Sequence, residues 1–352
     1  MKIYAGIINQ YRDYLNLDCK IQPITLSEGN TPLIPLDRIS KQIGRGARLW
    51  VKFEGLNPTG SFKDRGMTTA VSEAAYRGAN TVICASTGNT AASAAAYAAR
   101  AGMRSIVIIP AGNVAAGKLA GAIAYGAEVI QIDGSFDDAL TMVLKISQKY
   151  PVAVVNSLNP FRLEGQKTSA FEICDDLGHF PDWLALPVGN AGNITSYWMG
   201  FKQYQKTNRY ALPRLLGVQA SGAAPLVVGK PVDHPETIAT AIRIGKPARG
   251  EEALSAASES NGKIIAVSDD EILSAQKMLA NEGIWVEPAS AAGLAGIINQ
   301  FQVNDREFKD KEIVIICTGH GLKDPDVITH AFEKPRIYQA DMAALEEVIL
   351  NV

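Results

Sequence analysis

Asn57-Pro58-Thr59-Gly60-Ser61-Phe62-Lys63-Asp64-Arg65-Gly66 sets one lysine between turn residues and the start of a helix, with an aromatic ring beside it. A lysine held at such a boundary can lose water, lower its pKa and supply the neutral amine that Schiff-base chemistry needs. The ordinary place of a lysine is the solvated surface. Position alone therefore does not make Lys63 catalytic, and its company has to.

Ser86-Thr87-Gly88-Asn89-Thr90 offers N–H groups and hydroxyls at the start of an alanine-rich helix, a setting suited to a carboxylate. Simple N-capping by Thr87 or Asn89 is the plainer alternative. In Gly189-Asn190-Ala191-Gly192-Asn193-Ile194 two glycines let the backbone curl, so that successive N–H groups at a helix start can meet a phosphate. An ordinary strand-to-helix turn uses the same residues, and the pattern is neither a dinucleotide fingerprint nor a Walker loop. Asn156-Ser157-Leu158-Asn159-Pro160-Phe161-Arg162 adds amides, a hydroxyl and a guanidinium able to fork onto a second phosphate or a carboxylate, against the default of a solvated arginine. His179, His234, His320 and His330 show no ligand spacing such as HExxH, so no metal is expected. A serine-hydrolase elbow of the GxSxG type is also missing.

The elements around these stretches read as alternating strands and helices. Residues 48–54 alternate as a strand that delivers the chain to Lys63, after a turn-rich segment, 26–36, between short extended pieces. Strands are expected at 81–86, 105–109, 128–132 and 152–155, with helices at 90–100, at 115–125 and from the Ser135/Asp138 capping box to Tyr150. Further strands are expected at 183–188, 214–219 and 313–317, and a helix at 195–205. A second capping box, Ser268/Glu271, opens a helix that Gly283 closes. Residues 221–250, rich in glycine and proline, read as an irregular excursion, a lid or a dimer contact. A terminal helix over 341–349 is expected. Continuous apolar strands between helices call for parallel sheets covered on both faces. Ligands of such sheets bind beyond the carboxyl ends of strands, where the turns at 86–90, 189–193 and 318–321 can converge.

Composition narrows the class. At 352 residues the chain suits two domains, and 47% hydrophobic with 20% charged residues is a globular balance. A formal net charge of -2, with no long basic run, points away from nucleic acid and anionic membranes. Cys19, Cys84, Cys174 and Cys317 are far apart, so neither disulfide scaffolding nor structural zinc is expected and a reducing cytoplasm fits. No apolar run has the length of a membrane span or the pattern of a signal peptide.

Taken together, the Lys63 stretch, Ser86–Thr90, Gly189–Asn193 and Thr318-Gly319-His320-Gly321-Leu322 resemble the fold type II pyridoxal-phosphate enzymes, and within them the threonine synthase family. The likeness spans almost the whole chain, including Glu28-Gly29-Asn30-Thr31-Pro32-Leu33, residues 237–243 and Glu287-Pro288-Ala289-Ser290-Ala291-Ala292. It implies an α/β protein of two domains, each a twisted, mostly parallel sheet with helices on both faces. Residues 1–55 and 153–352 would form the larger, cofactor-anchoring domain and 56–152 a smaller, mobile one, in a homodimer.

By that resemblance the cofactor is pyridoxal 5'-phosphate and Lys63 is its Schiff-base lysine and the mobile acid and base. Asn89 should bond the ring hydroxyl, Gly189, Asn190, Ala191, Gly192 and Asn193 should cradle the cofactor phosphate, and Thr318 should face the ring nitrogen. Ser86 and Thr87 should take the substrate carboxylate, and Asn156, Ser157 and Arg162 the substrate phosphate. The implied reaction converts O-phospho-L-homoserine and water to L-threonine and phosphate. A threonine or serine dehydratase of the same fold, which needs no second phosphate site, is the nearest rival. A catalytically silent sensor of phosphorylated metabolites would keep the anion turns without needing the lysine.

Overall fold

The computed structural model describes residues 3–112, 116–208 and 211–325, with isolated positions beyond. Ten strands alternate with helices along it: β1 (Leu33–Pro35), β2 (Arg48–Phe53), β3 (Thr81–Ala85), β4 (Arg104–Pro110), β5 (Glu128–Ile132), β6 (Ala153–Val154), β7 (Trp183–Pro187), β8 (Arg214–Ala220), β9 (Lys263–Val267) and β10 (Glu312–Cys317). They form two sheets, of order β1-β2-β10-β7-β8-β9 and β5-β4-β3-β6. Every pairing is parallel except β1 with β2. The expected α/β class with parallel, helix-covered sheets is what the chain adopts.

Alternation along the strands explains the layers, because successive side chains point to opposite faces. In β10, Ile313, Ile315 and Cys317 join the core under the helices Asp269–Asn281 and Pro288–Phe308, while Val314 and Ile316 join Phe171, Tyr197 and Phe201 on the other face. The smaller sheet repeats this with less cover. Val82, Cys84, Val107 and Ile109 pack beneath the helices Lys63–Tyr76 and Asn89–Arg100, whereas Ile83, Ala85 and Ile108 meet Ala139 and Val143 of the single helix Phe136–Ser147.

Several element ends differ from expectation for local reasons. The helix expected to reach Tyr150 stops at Ser147, where Lys149 N–H and Tyr150 N–H both close onto Ile146 O at 3.0 Å in a final turn. The helix expected from Thr195 begins at Gly192 and runs to Asn208, so the glycine-asparagine turn passes straight into a 17-residue helix. Strand β9 and the 21-residue helix Pro288–Phe308 are additions to the expected pattern. Both capping boxes form with both reciprocal bonds. Residues 221–250 hold only Pro225–Val228 and the 3-10 turn Thr240–Ile242 as helix before Gly250. The helix expected over 341–349 lies largely outside the described residues.

Candidate active site

Lys63 is the first residue of its helix, and its neighbours fix it from both sides. Asp64 is buried and accepts from Thr59 N, Thr59 Oγ1 and Ser93 Oγ, each at 2.6 Å. Arg65, also buried, donates to Glu54 at 2.7 Å, to Glu172 at 2.6 Å and to Thr31 and Thr168. Behind this hub the Lys63 helix crosses the helix Pro160–Gln166 backbone to backbone. A Cβ on Gly165 would lie 1.8 Å from Arg65 O, and one on Gly66 would lie 2.8 Å from Arg162 O. The two glycines therefore bring Lys63 and Arg162 to the same wall.

That wall faces a cavity of about 900 Å³, within the usual range for ligand sites. It is lined by Lys63, by Ser86, Thr87 and Asn89 after β3, by Gly189 to Asn193 after β7 and by Thr318 after β10. Asn156, Ser157 and Arg162 complete the lining, so all the residues singled out in the sequence meet in one place. The Lys63 turn and the Thr318 turn are also bonded directly. Phe62 N–H donates to Thr318 O at 2.9 Å and His320 N–H to Gly60 O at 2.9 Å.

Lys63 Nζ sits 3.7 Å from the centre of the Phe62 ring. Burial and the nearby Arg162 guanidinium push the Lys63 amine down to about 7, against the opposing pull of Glu287 and Asp64. At neutral pH it can thus both give and take a proton.

The turn residues divide between ligand-ready groups and groups already engaged. Asn89 opens the helix Asn89–Arg100, yet neither it nor Thr87 caps that helix. The cap position is Gly88, without a side-chain bond, and Asn89 Nδ2 instead donates to both oxygens of Glu287 at 3.1 and 3.2 Å. Ser86 Oγ accepts from Gly88 N at 3.2 Å. Asn156 clamps the end of β3, accepting from Ala85 N at 3.0 Å and donating to Ala85 O at 2.9 Å. One N–H of its amide remains for a ligand.

In the next turn, Ala191 takes φ 66°, and a Cβ on Gly189 would lie 3.0 Å from Ile242 Cα, so the chain passes close beneath the Thr240–Ile242 turn. Asn193 Nδ2 is buried without a partner among the described residues. It stands at the start of the 17-residue helix, where free N–H groups and the helix dipole favour an anion.

Arg162 is 2% exposed, and its Nη1 donates only weakly to Val155 O at 3.4 Å. Its Nε has no partner, it forms no ion pair among the described residues, and burial pushes it down to about 10. A buried guanidinium without a carboxylate is costly unless an anion meets it. Thr318 Oγ1 lies 2.9 Å from Ser290 Oγ, which also accepts from Gly319 N at 2.8 Å.

These groups fit pyridoxal phosphate: a tunable amine, a helix start with an orphaned buried amide, an amide for a phenol oxygen and a hydroxyl in place of a carboxylate. Sequence reasoning passed over Glu287 and Ser290 as participants, and over the Arg65 hub. For Glu287 one signal was there to be used, an acid directly before the proline of an uncharged helix start.

The family described as pyridoxal-phosphate dependent enzyme matches residues 24–319, and the chain belongs to that family. Among solved structures, maize serine racemase superposes with a TM-score of 0.76 at 22% identity, over 93% of this chain and 97% of the other. Threonine deaminase isoform 2 of Solanum lycopersicum gives 0.75 at 23%, over 94% and 90%. At such identities the likeness is one of fold, the fold type II architecture. Closer in sequence are threonine synthases. That of Synechocystis sp. is 58% identical over 92% of this chain and 84% of the relative. That of Bacillus sp. is 56% identical over 92% of each, and that of Methanocaldococcus jannaschii is 50% identical over 97% and 86%.

Proposed function

We propose that this chain, with pyridoxal phosphate, converts O-phospho-L-homoserine and water to L-threonine and phosphate. The observation that carries the reading beyond the family is Arg162, a buried cation without an ionic partner in the cavity that Lys63 faces. The turn at 189–193 supplies one anion position, and Arg162 with Ser157 supplies another. A substrate that brings its own phosphate needs both.

The cofactor, when bound, supplies an electron sink that acidifies the substrate hydrogens at Cα and Cβ. Gly189 to Asn193 hold its phosphate, Asn89 its ring hydroxyl and Thr318 its ring nitrogen. A hydroxyl at Thr318 does not keep that nitrogen protonated, so more of the work falls to the positioned lysine. Ser86 and Thr87 hold the substrate carboxylate. Lys63 Nζ takes the protons at Cα and Cβ and returns protons at Cγ and Cα, a duty suited to an amine that titrates near 7. Arg162 and Ser157 hold the phosphate as it leaves Cγ; water adds its hydroxyl at Cβ, and its remaining proton ends on the released phosphate.

Product analysis tests the reading. Wild-type protein given O-phosphohomoserine should release threonine and inorganic phosphate in equal amounts. Absence of phosphate release contradicts it, and ammonia with 2-oxobutyrate from threonine or serine as the main activity would favour the dehydratase. Arg162→Ala should raise KM while the cofactor absorbance stays nearly unchanged. Loss of that absorbance would mean Arg162 serves the cofactor phosphate instead.

The smaller body, expected over 56–152, is proposed to move over the cavity and to run on to Val154, because Ala153 and Val154 pair with β3. A homodimer is proposed as well, with sedimentation as its check. No helix among the described residues is long and apolar enough to cross a membrane.

A further inference from the structure

Glu287 is the group in this cavity whose presence the expected roles leave unexplained. It precedes Pro288 at the start of the 21-residue helix and is 4% exposed. The main chain holds it from behind. Glu287 N–H donates to Gly319 O at 3.2 Å, and a Cβ on Gly319 would lie 2.4 Å from Glu287 Oε1. Around its carboxylate stand the Asn89 amide from the helix Asn89–Arg100, Lys63 from its own helix, and Lys323 and Asp324 from the turn after β10. Burial raises its hold on a proton, with Asp324 adding to this, while Asn89, Lys63 and Lys323 oppose it.

Two consequences follow from chemistry alone. Asn89 Nδ2 meets both oxygens of Glu287, at 3.1 and 3.2 Å, as the ionised form allows against the pull of burial, and an ionised carboxylate only accepts hydrogen bonds, so it keeps the nitrogen end of Asn89 turned toward it. The second N–H and the oxygen of that amide are left for whatever the cavity holds. A carboxylate beside an amine also favours the ammonium form. Asn89 is free to be held this way because Gly88, not Asn89, occupies the cap of the helix.

We propose that Glu287 is a positioning residue: it orients the Asn89 carboxamide toward the cofactor ring and holds positive charge at Lys63. The inference rests on the proposed function, and its test is arranged so that the two fail separately. If wild-type holoenzyme releases no phosphate from O-phosphohomoserine, the functional reading fails. If wild type does so, Glu287 is judged from two variants of the cofactor-loaded protein, E287Q and E287D, each checked for folding by thermal unfolding.

E287Q removes the charge and keeps the size. Its visible cofactor band should titrate at a pH lower than wild type by about one unit, since a lost carboxylate weakens the hold on the proton at the Schiff-base nitrogen of Lys63. E287D keeps the charge and shortens the reach to Asn89. It should titrate like wild type yet lose about tenfold to a hundredfold in kcat, with KM changed much less, as misplacement of a ring contact predicts. A merely structural glutamate would leave both titrations alone and lower stability instead. The proposal is overturned if the E287Q band titrates at the wild-type pH, or if E287D turns over as fast as wild type. Should E287Q not fold, E287D decides alone, and a shifted band or an unchanged kcat there overturns the proposal.

Discussion

In the six-stranded sheet every residue of β7 and β10 is buried, while at the edge of the four-stranded sheet β5 leaves Glu128, Ile130 and Gln131 exposed. The larger sheet is clad on both faces by long helices, whereas one face of the smaller rests on the single helix Phe136–Ser147, with Met142 and Leu144 still exposed. Both sheets send turns into the same cavity. The difference teaches where rigidity is placed. The turns at 189–193 and 318–321 leave fully buried strands, and the Lys63 helix, though packed on the smaller sheet, is tied through Arg65 to Glu54 and Glu172 beside the larger one. Lys63 thereby stands at the joint between the two sheets, tied to the well-packed side, and the substrate-facing turn at 86–90 belongs to the side with less cover.

The sharpest way to break this contrast is through the hub. Burial raises the Glu172 pKa, but Arg65 and Lys52 more than reverse that and hold it at about 2. Glu172→Gln leaves a buried cation short of a partner and should cost about 3–5 kcal/mol at neutral pH in denaturant unfolding. Because the folded pKa lies below the unfolded value, the Glu172 contribution is complete above the ordinary glutamate pKa and fades as pH falls toward 2. The gap between wild type and the variant should therefore narrow in acid. A gap independent of pH would contradict the ion-pair account.

Next comes the helix crossing. Gly165→Ala drives a methyl into Arg65 O and should cost about 1–3 kcal/mol, read as a lowered Tm, with reduced cofactor binding because Lys63 and Arg162 shift together. The corresponding change in open space is Gly88→Ala, where no atom lies within 4 Å of the added carbon, and it should leave Tm nearly unchanged.

The smallest effects are expected from the two capping boxes. Ser135→Ala and Ser268→Ala should each cost about 1 kcal/mol. By hydrogen exchange, Ser135→Ala should loosen the helix Phe136–Ser147 and the strands under it, while Ser268→Ala leaves the smaller sheet unaffected. Equal loosening of both sheets would argue against two bodies of different stability.

What could be read from the sequence was local. Both capping boxes, the strands that end in the polar turns and the placement of Lys63 at a helix start depend on residues a few positions apart, and each formed. The partners that make the site work are distant in the chain. Glu172 is 107 residues from Arg65 and Glu287 is 198 from Asn89, so no spacing rule reveals either pair. The helix Pro288–Phe308 has small residues buried all round its first turns and shows no amphipathic period to read. Asn156 shows the converse limit. Its type suggested a ligand, and only the fold reveals that most of its amide clamps Ala85.

Of the amines that line the cavity, Lys63, Lys246 and Lys323, Lys63 is the one proposed to carry the cofactor. Lys323 also lines the cavity, and burial lowers its pKa as well, so it is the natural competitor. Borohydride reduction of the pyridoxal-phosphate-loaded protein, followed by peptide mapping, decides between them. The account predicts the reduced cofactor on the peptide carrying Lys63 and nowhere else. Label on Lys323 or any other lysine, with Lys63 unmodified, would contradict it.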